Sequence, residues 1–180
     1  MIGPASTTLT FVELIDLPDF GPDDYGRIVD GETDPFATED SGIEWREKSG
    51  HVGLTDRGRL IGHAGWVPVQ VETTPGQTVD VLGLGGVILH RDYRGKGAGR
   101  QVVLGAMARM AEAGGSIGLL FCLPRRLRFY QDMGWFRIDQ VVTADQPTGS
   151  ITMAMVTCWT PLAAGAILPT SDLHVQGLPF

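Results

Sequence analysis

Apolar and polar positions alternate in short runs over the first ninety residues, the period expected of half-buried strands. Leu9, Phe11 and Ile15 predict a first strand over 8–15. Residues 52–72 read as a hairpin, with a short strand, a turn at 55–59 and a long strand over 60–72. A second turn at 74–77 leads into a strand over 79–89. Between the first strand and the hairpin, the Gly-, Pro- and Asp-rich stretch 18–40 holds a short helical candidate at 23–29, and another is expected over 39–48.

The period then lengthens. Val103, Leu104, Met107, Met110 and Ala111 recur at three- and four-residue spacing, which predicts a helix over Ala98–Glu112, ended by Gly114 and Gly115. Residues 117–123 are almost continuously apolar, as in a strand covered on both faces. Pro124 opens a short helix over 125–133 that Gly134 terminates. Strands over 135–138 and 151–159 complete the pattern. A meander of strands followed by alternating helices and strands around one sheet predicts the α/β (α+β) class. No linker or shift in composition divides the chain, so a single domain over 1–180 is expected.

Composition narrows the function. A chain of 180 residues can bury a full core, and its 25 glycines show no repeat period, so solenoid and collagen-like architectures are excluded. Residues 1–50 hold twelve acids against three bases, a net of −9 within an overall −7. The dense basic run is Arg91, Arg94, Lys96 and Arg100, interleaved with glycines, which suits a small phosphate ligand better than a duplex. No nucleic-acid partner is therefore expected. The two cysteines, Cys122 and Cys158, lie in separate apolar runs and read as buried free thiols in a reducing compartment, with no metal framework. Apolar runs too short to cross a bilayer, and an N-terminus unlike a signal peptide, predict a cytoplasmic protein with no membrane partner.

The strongest chemical signal is the segment 87–100, which passes from a strand through Arg94-Gly95-Lys96-Gly97-Ala98-Gly99 into the best helix. Glycines let the backbone bring its N–H groups close to an anion, and the new helix adds unpaired donors and its positive end. A bare G-x-G is expected by chance about three times in a chain this rich in glycine, but an arginine three residues ahead lowers that to roughly 0.2. The dinucleotide pattern fails, because Arg100 stands three residues after Gly97, and the P-loop Ser or Thr after lysine is missing.

This segment resembles the R/Q-x-x-G-x-G/A signature of the GNAT acetyltransferases, and Phe129-Tyr130-Gln131-Asp132-Met133-Gly134-Trp135 is similar to that family's F-Y-x-x-x-G-F/W segment. The resemblance covers roughly 80–138. It implies a GNAT fold: a central mixed, mostly antiparallel sheet flanked by helices, with splayed strands at the acyl-CoA site. It also implies acetyl-CoA as acyl donor, its pyrophosphate on Arg94, Gly95, Lys96, Gly97, Ala98, Gly99 and Arg100, and its pantetheine arm along Val87, Ile88 and Leu89. Within the superfamily the chain is similar to aminoglycoside 2′-N-acetyltransferases, in Glu44-Trp45, in the run 58–64, and in Arg125-Arg126-Leu127 leading to Tyr130. Those enzymes carry a glutamate on the strand ahead of the cofactor turn, and Gly85 stands at the matching position here.

Acetyl transfer needs a neutral amine, a stabilised oxyanion and a proton for the departing thiolate. Tyr130 is the candidate proton donor, since a phenol with a reference pKa near 10 stays protonated at neutral pH. A backbone N–H near Leu89 is the candidate oxyanion donor. Glu44, His63, Asp80, His90 and water remain open as the base. The expected reaction is acetyl transfer to a primary amine of a small, cationic acceptor, aminoglycoside-like or polyamine-like, drawn by acids among Asp30, Glu32, Asp34, Glu39, Asp40 and Glu44. Alternatives are a longer acyl donor, admitted by a pocket that Gly83, Gly85 and Gly86 widen, and a catalytically silent acyl-CoA sensor. A homodimer is left open.

Overall fold

The computed structural model describes residues 12–33, 35, 36, 42–74 and 76–180. The expected first strand is seen as β1, Val12–Leu17, its residues 8–11 lying outside the described part. Helix α1, Pro22–Val29, follows, with proline at its start and Asp23 and Asp24 in the first turn, where acids favour the positive helix end. The helix expected over 39–48 is not formed: residues 42–48 run without regular structure, and 39–41 lie outside the described residues. The segment is held instead by long-range bonds, Glu44 N–H to Gln146 Oε1 at 2.8 Å and Arg46 N–H to the Pro179 carbonyl at 2.6 Å.

The hairpin forms as β2, Gly50–Asp56, and the sixteen-residue β3, Arg59–Thr74, and β4, Gln77–Leu89, continues the antiparallel meander. Helix α2, Ala98–Glu112, then crosses to β5, Ile117–Cys122, which pairs parallel with β4. A 3-10 turn at Pro124–Arg126 leads to α3, Leu127–Gln131, and to the short β6, Phe136–Arg137. The strand expected over 151–159 proves to be two. β7, Val142–Gln146, pairs with β8, Gly149–Thr152, and β9, Val156–Pro161, lies against β5 and β6. The buried Met153 marks the break, its N–H bonded to the Val142 carbonyl. β10, Leu173–Val175, had no sequence signal of its own and slots between β3 and β7.

The sheet runs β6-β9-β5-β4-β3-β10-β7-β8, with β2 paired onto the first half of β3 and β1 onto β2. Two main cores cover its faces. One packs α2 against Val52, Leu54, Ala64, Leu84 and Leu120. The other encloses Val69, Val71, Leu119, Ala144, Val175 and Phe180. The buried stripe of α2 is Ala98, Val102, Val103, Ala106 and Met110, whereas Leu104 stays 38% exposed. The helix lies so close to β1 that a Cβ at Gly105 would fall 2.4 Å from the Leu14 side chain. Among the described residues no helix is long and apolar enough to cross a membrane.

Candidate active site

The site begins where two neighbouring strands separate. β4 pairs with β5 only from Leu82–Gly118 to Leu84–Leu120, although it stays paired with β3 much further on. Between the pairs Gly65–Gly85 and His63–Ile88, β4 takes three steps against two on β3, which is a bulge. Gly86 occupies it with φ +59°, a conformation glycine adopts without a side-chain penalty. The bulge turns the end of β4 away from β5, and a cavity of about 790 Å³ opens between them. His90 N–H donates to the Ile61 carbonyl of β3. Because successive N–H groups alternate edges, those of Leu89 and Val87 point the other way, into the gap.

His63 supports the bulge from behind. Its Nδ1–H donates to the Gly86 carbonyl at 2.9 Å, its Nε2 meets His51 Nδ1 at 3.1 Å, and Phe20 stacks on the ring at 3.6 Å between centroids. Burial pulls its pKa down to about 4, so the imidazole is neutral at physiological pH. It is a buried histidine bonded to the strand and does not line the cavity.

The donor end is made of backbone. Gly95 and Gly97 have φ of +73° and +87°, and Gly97 caps α2 with no side chain on its first N–H groups. An uncapped helix start facing a cavity fits the pyrophosphate of a CoA thioester. Arg94 holds the turn: its Nε donates to the Leu89 carbonyl at 3.0 Å and its Nη1 to Glu32 at 2.8 Å, a pairing that holds the Glu32 carboxyl below its ordinary range. Arg100 ties α2 to the end of α3 through the Asp132 carbonyl at 2.8 Å. Val87, Ile88, Leu89, Arg94, Gly95, Gly97, Gly99 and Arg100 all border the cavity. Lys96 points to solvent, and Ala98 is buried beneath the turn.

Tyr130 comes to the same cavity from α3, buried between Phe129 and Trp135, which meet it edge-on. Burial first, and the neighbouring Cys122 second, push its hydroxyl well above the usual phenol value, so the proton stays on Oη. Cys122 and Cys158 are free and buried, as their apolar surroundings predicted. Among the described residues no cluster of His, Cys, Asp or Glu could hold a metal ion.

The far end is walled by Trp45, Phe121, Met155 and Phe180, with Lys48 between them and β4. Gly83 and Gly85 of β4 do not widen it. A Cβ at Gly83 would lie 2.4 Å from the Phe180 ring, and one at Gly85 would lie 2.7 Å from Lys48 Cε and 2.9 Å from the Phe180 backbone. Their vacated volume is already filled. None of the candidate bases lines the cavity: Asp80 binds Gln70, Glu44 is exposed, and the buried His90 meets Arg59 and Asp30. Asp30 and Glu32 are engaged with cations, while Asp34, Glu39 and Asp40 lie outside the described residues. Sequence reading missed Lys48, although its rarity was a signal: the chain has two lysines.

Comparison with known proteins places this geometry. No curated protein matches the chain. Among solved structures, a GNAT family N-acetyltransferase from Escherichia coli (YhbS), in complex with CoA, matches with a TM-score of 0.63 at 18% identity, covering 98% of this chain and 93% of that one. A GNAT family acetyltransferase from Brucella melitensis, in complex with acetyl-CoA, matches with a TM-score of 0.54 at 17% identity, covering 90% and 94%. At such identities these likenesses establish the fold. The family model described as Acetyltransferase (GNAT) domain matches residues 31–138, which include the bulged strand, the glycine turn and Tyr130. The chain therefore belongs to the GNAT acetyltransferase family, and it is an acyltransferase.

Proposed function

We propose that the protein transfers the acetyl group of acetyl-CoA to the primary amine of a small acceptor held at the Trp45–Phe121–Phe180 end of the cavity. The observation that carries this reading is the parting of β4 from β5, with an uncapped helix start at one end of the gap and a protonated phenol on its wall. The N–H groups of 94–100 hold the pyrophosphate, and the gap-facing groups of Val87 and Leu89 hold the pantetheine arm. A backbone N–H of the same strand near Leu89 stabilises the oxyanion. Tyr130 Oη gives its proton to the leaving thiolate, and water takes the amine proton, since none of the described candidate bases reaches the cavity.

A cationic acceptor, aminoglycoside-like or polyamine-like, is supported by the net −9 of residues 1–50 and by the aromatic faces of Trp45 and Phe121, which attract cations. The engagement of Asp30 and Glu32 elsewhere, and the presence of Lys48, weigh on the other side. The filled glycine positions speak for an acetyl group over a longer acyl chain. The test is thiol release from acetyl-CoA over polyamines, aminoglycosides and neutral arylalkylamines at two salt concentrations. Turnover that favours cationic amines and falls with salt supports the full reading. Equal rates on neutral amines remove the cationic preference, and CoA binding without turnover on any amine removes acetyl transfer to small amines.

A further inference from the structure

The chain contains two lysines, and they lie in opposite settings. Lys96 is exposed on the glycine turn. Lys48 is half-buried and lines the cavity, its Cε against β4 at Gly85 and its Nζ donating to the Arg46 carbonyl at 2.9 Å. It thus presents a primary amine, the functional group that the reaction acetylates, inside the compartment that holds the acyl donor. Its setting also favours the nucleophilic form. Burial first, and the Arg46 guanidinium second, bring its pKa down to about 8. The imidazoles of His51 on β2 and His63 on β3, both with lowered pKa values, also face it, and the Phe180 main chain shares its position beside Gly85.

We propose that Lys48 is a self-acetylation site, taking the acetyl group from acetyl-CoA in the same cavity when no acceptor is present. The proposal rests on the reading that this cavity binds the donor. In the step, the neutral Nζ forms a C–N bond to the acetyl carbonyl carbon as the C–S bond breaks. Nζ loses one proton and the leaving sulfur gains one, so the products are Nε-acetyl-Lys48 and free CoA, with no further reactant. The amide that results carries no charge and adds bulk beside Gly85, at the acceptor end.

The test is peptide mass spectrometry of the purified protein after incubation with isotopically labelled acetyl-CoA and no amine. Label should accumulate on the Lys48 peptide at least about tenfold faster than on the Lys96 peptide, a ratio within the difference in neutral fraction between an amine of pKa about 8 and an ordinary lysine. Excess CoA should suppress Lys48 labelling and leave any Lys96 labelling unchanged. The Lys48 rate should rise about tenfold between pH 6.5 and 8 and level off above pH 9. An unlabelled Lys48, equal labelling of the two lysines, or indifference to excess CoA overturns the proposal. Calorimetry of CoA binding on the same preparation separates the failures: binding without Lys48 label removes self-acetylation alone, and no binding removes the donor-site reading with it.

Discussion

The two ends of the cavity are built on different principles. The end proposed for the acyl donor comes from two nearly continuous stretches, 86–100 and 122–132, and offers chiefly backbone N–H groups whose directions follow from a bulge, a glycine turn and a helix start. The acceptor end gathers Trp45, Lys48, Met155 and Phe180 from segments more than a hundred residues apart, and works through side chains. Backbone recognition fixes a ligand common to a whole family while leaving side chains free to vary. Side-chain recognition does the reverse, so on the proposed reading the acceptor end carries this protein's own specificity.

Gly97→Val is the harshest challenge to that division. Nothing lies within 4 Å of a Cβ at Gly97, so the damage is conformational: a β-branched residue resists φ +87° and turns the N–H groups away from the phosphates. CoA affinity measured by calorimetry should fall by at least about 100-fold while the fold survives, since the strain of about 1–3 kcal/mol is local. Unchanged affinity would remove the turn from the site.

Tyr130→Phe asks whether the donor wall contributes one side-chain function besides its backbone. Steady-state kinetics should show kcat lower by about 10²-fold with CoA affinity nearly constant. A variant with full kcat would reduce Tyr130 to packing against Phe129 and Trp135.

Gly83→Ala probes the opposite end. Its Cβ would meet the Phe180 ring at 2.4 Å, and overpacking of that kind costs about 1–3 kcal/mol. The melting temperature should drop by several degrees. An unaffected or stabilised variant would mean that the space beside Gly83 is open, and would restore the wider pocket that the glycines suggested.

The smallest effect concerns His63, behind the bulge that joins the two ends. Its folded pKa of about 4 lies below the unfolded value of 6.5, so the unfolded chain binds more protons between those limits. Its contribution is complete above pH 6.5 and is lost as pH falls toward 4. Between pH 7.5 and 5.5 this amounts to about 1 kcal/mol in urea unfolding. His63→Gln should flatten that part of the pH profile; an equally steep profile would assign the acid sensitivity to other groups.

The sequence by itself determined the hairpin, the glycine turn, the helix it feeds and the strand after it, because these depend on residues within a few positions of one another. That Val87, Leu89, the turn at 94–99 and Tyr130 border one cavity agrees with the expectation drawn from their short motifs, and their roles there are what the predictions above test. Only the tertiary structure decided that β4 leaves β5 after Leu84, that Met153 breaks one apparent strand into two distant ones, and that His63 supports Gly86. It also decided that the space beside Gly83 and Gly85 belongs to Phe180 and Lys48. Local propensity sets the conformation of a segment, but the neighbour that fills a vacated volume is chosen by the sheet order and by packing between segments far apart in the chain, where no local pattern reaches.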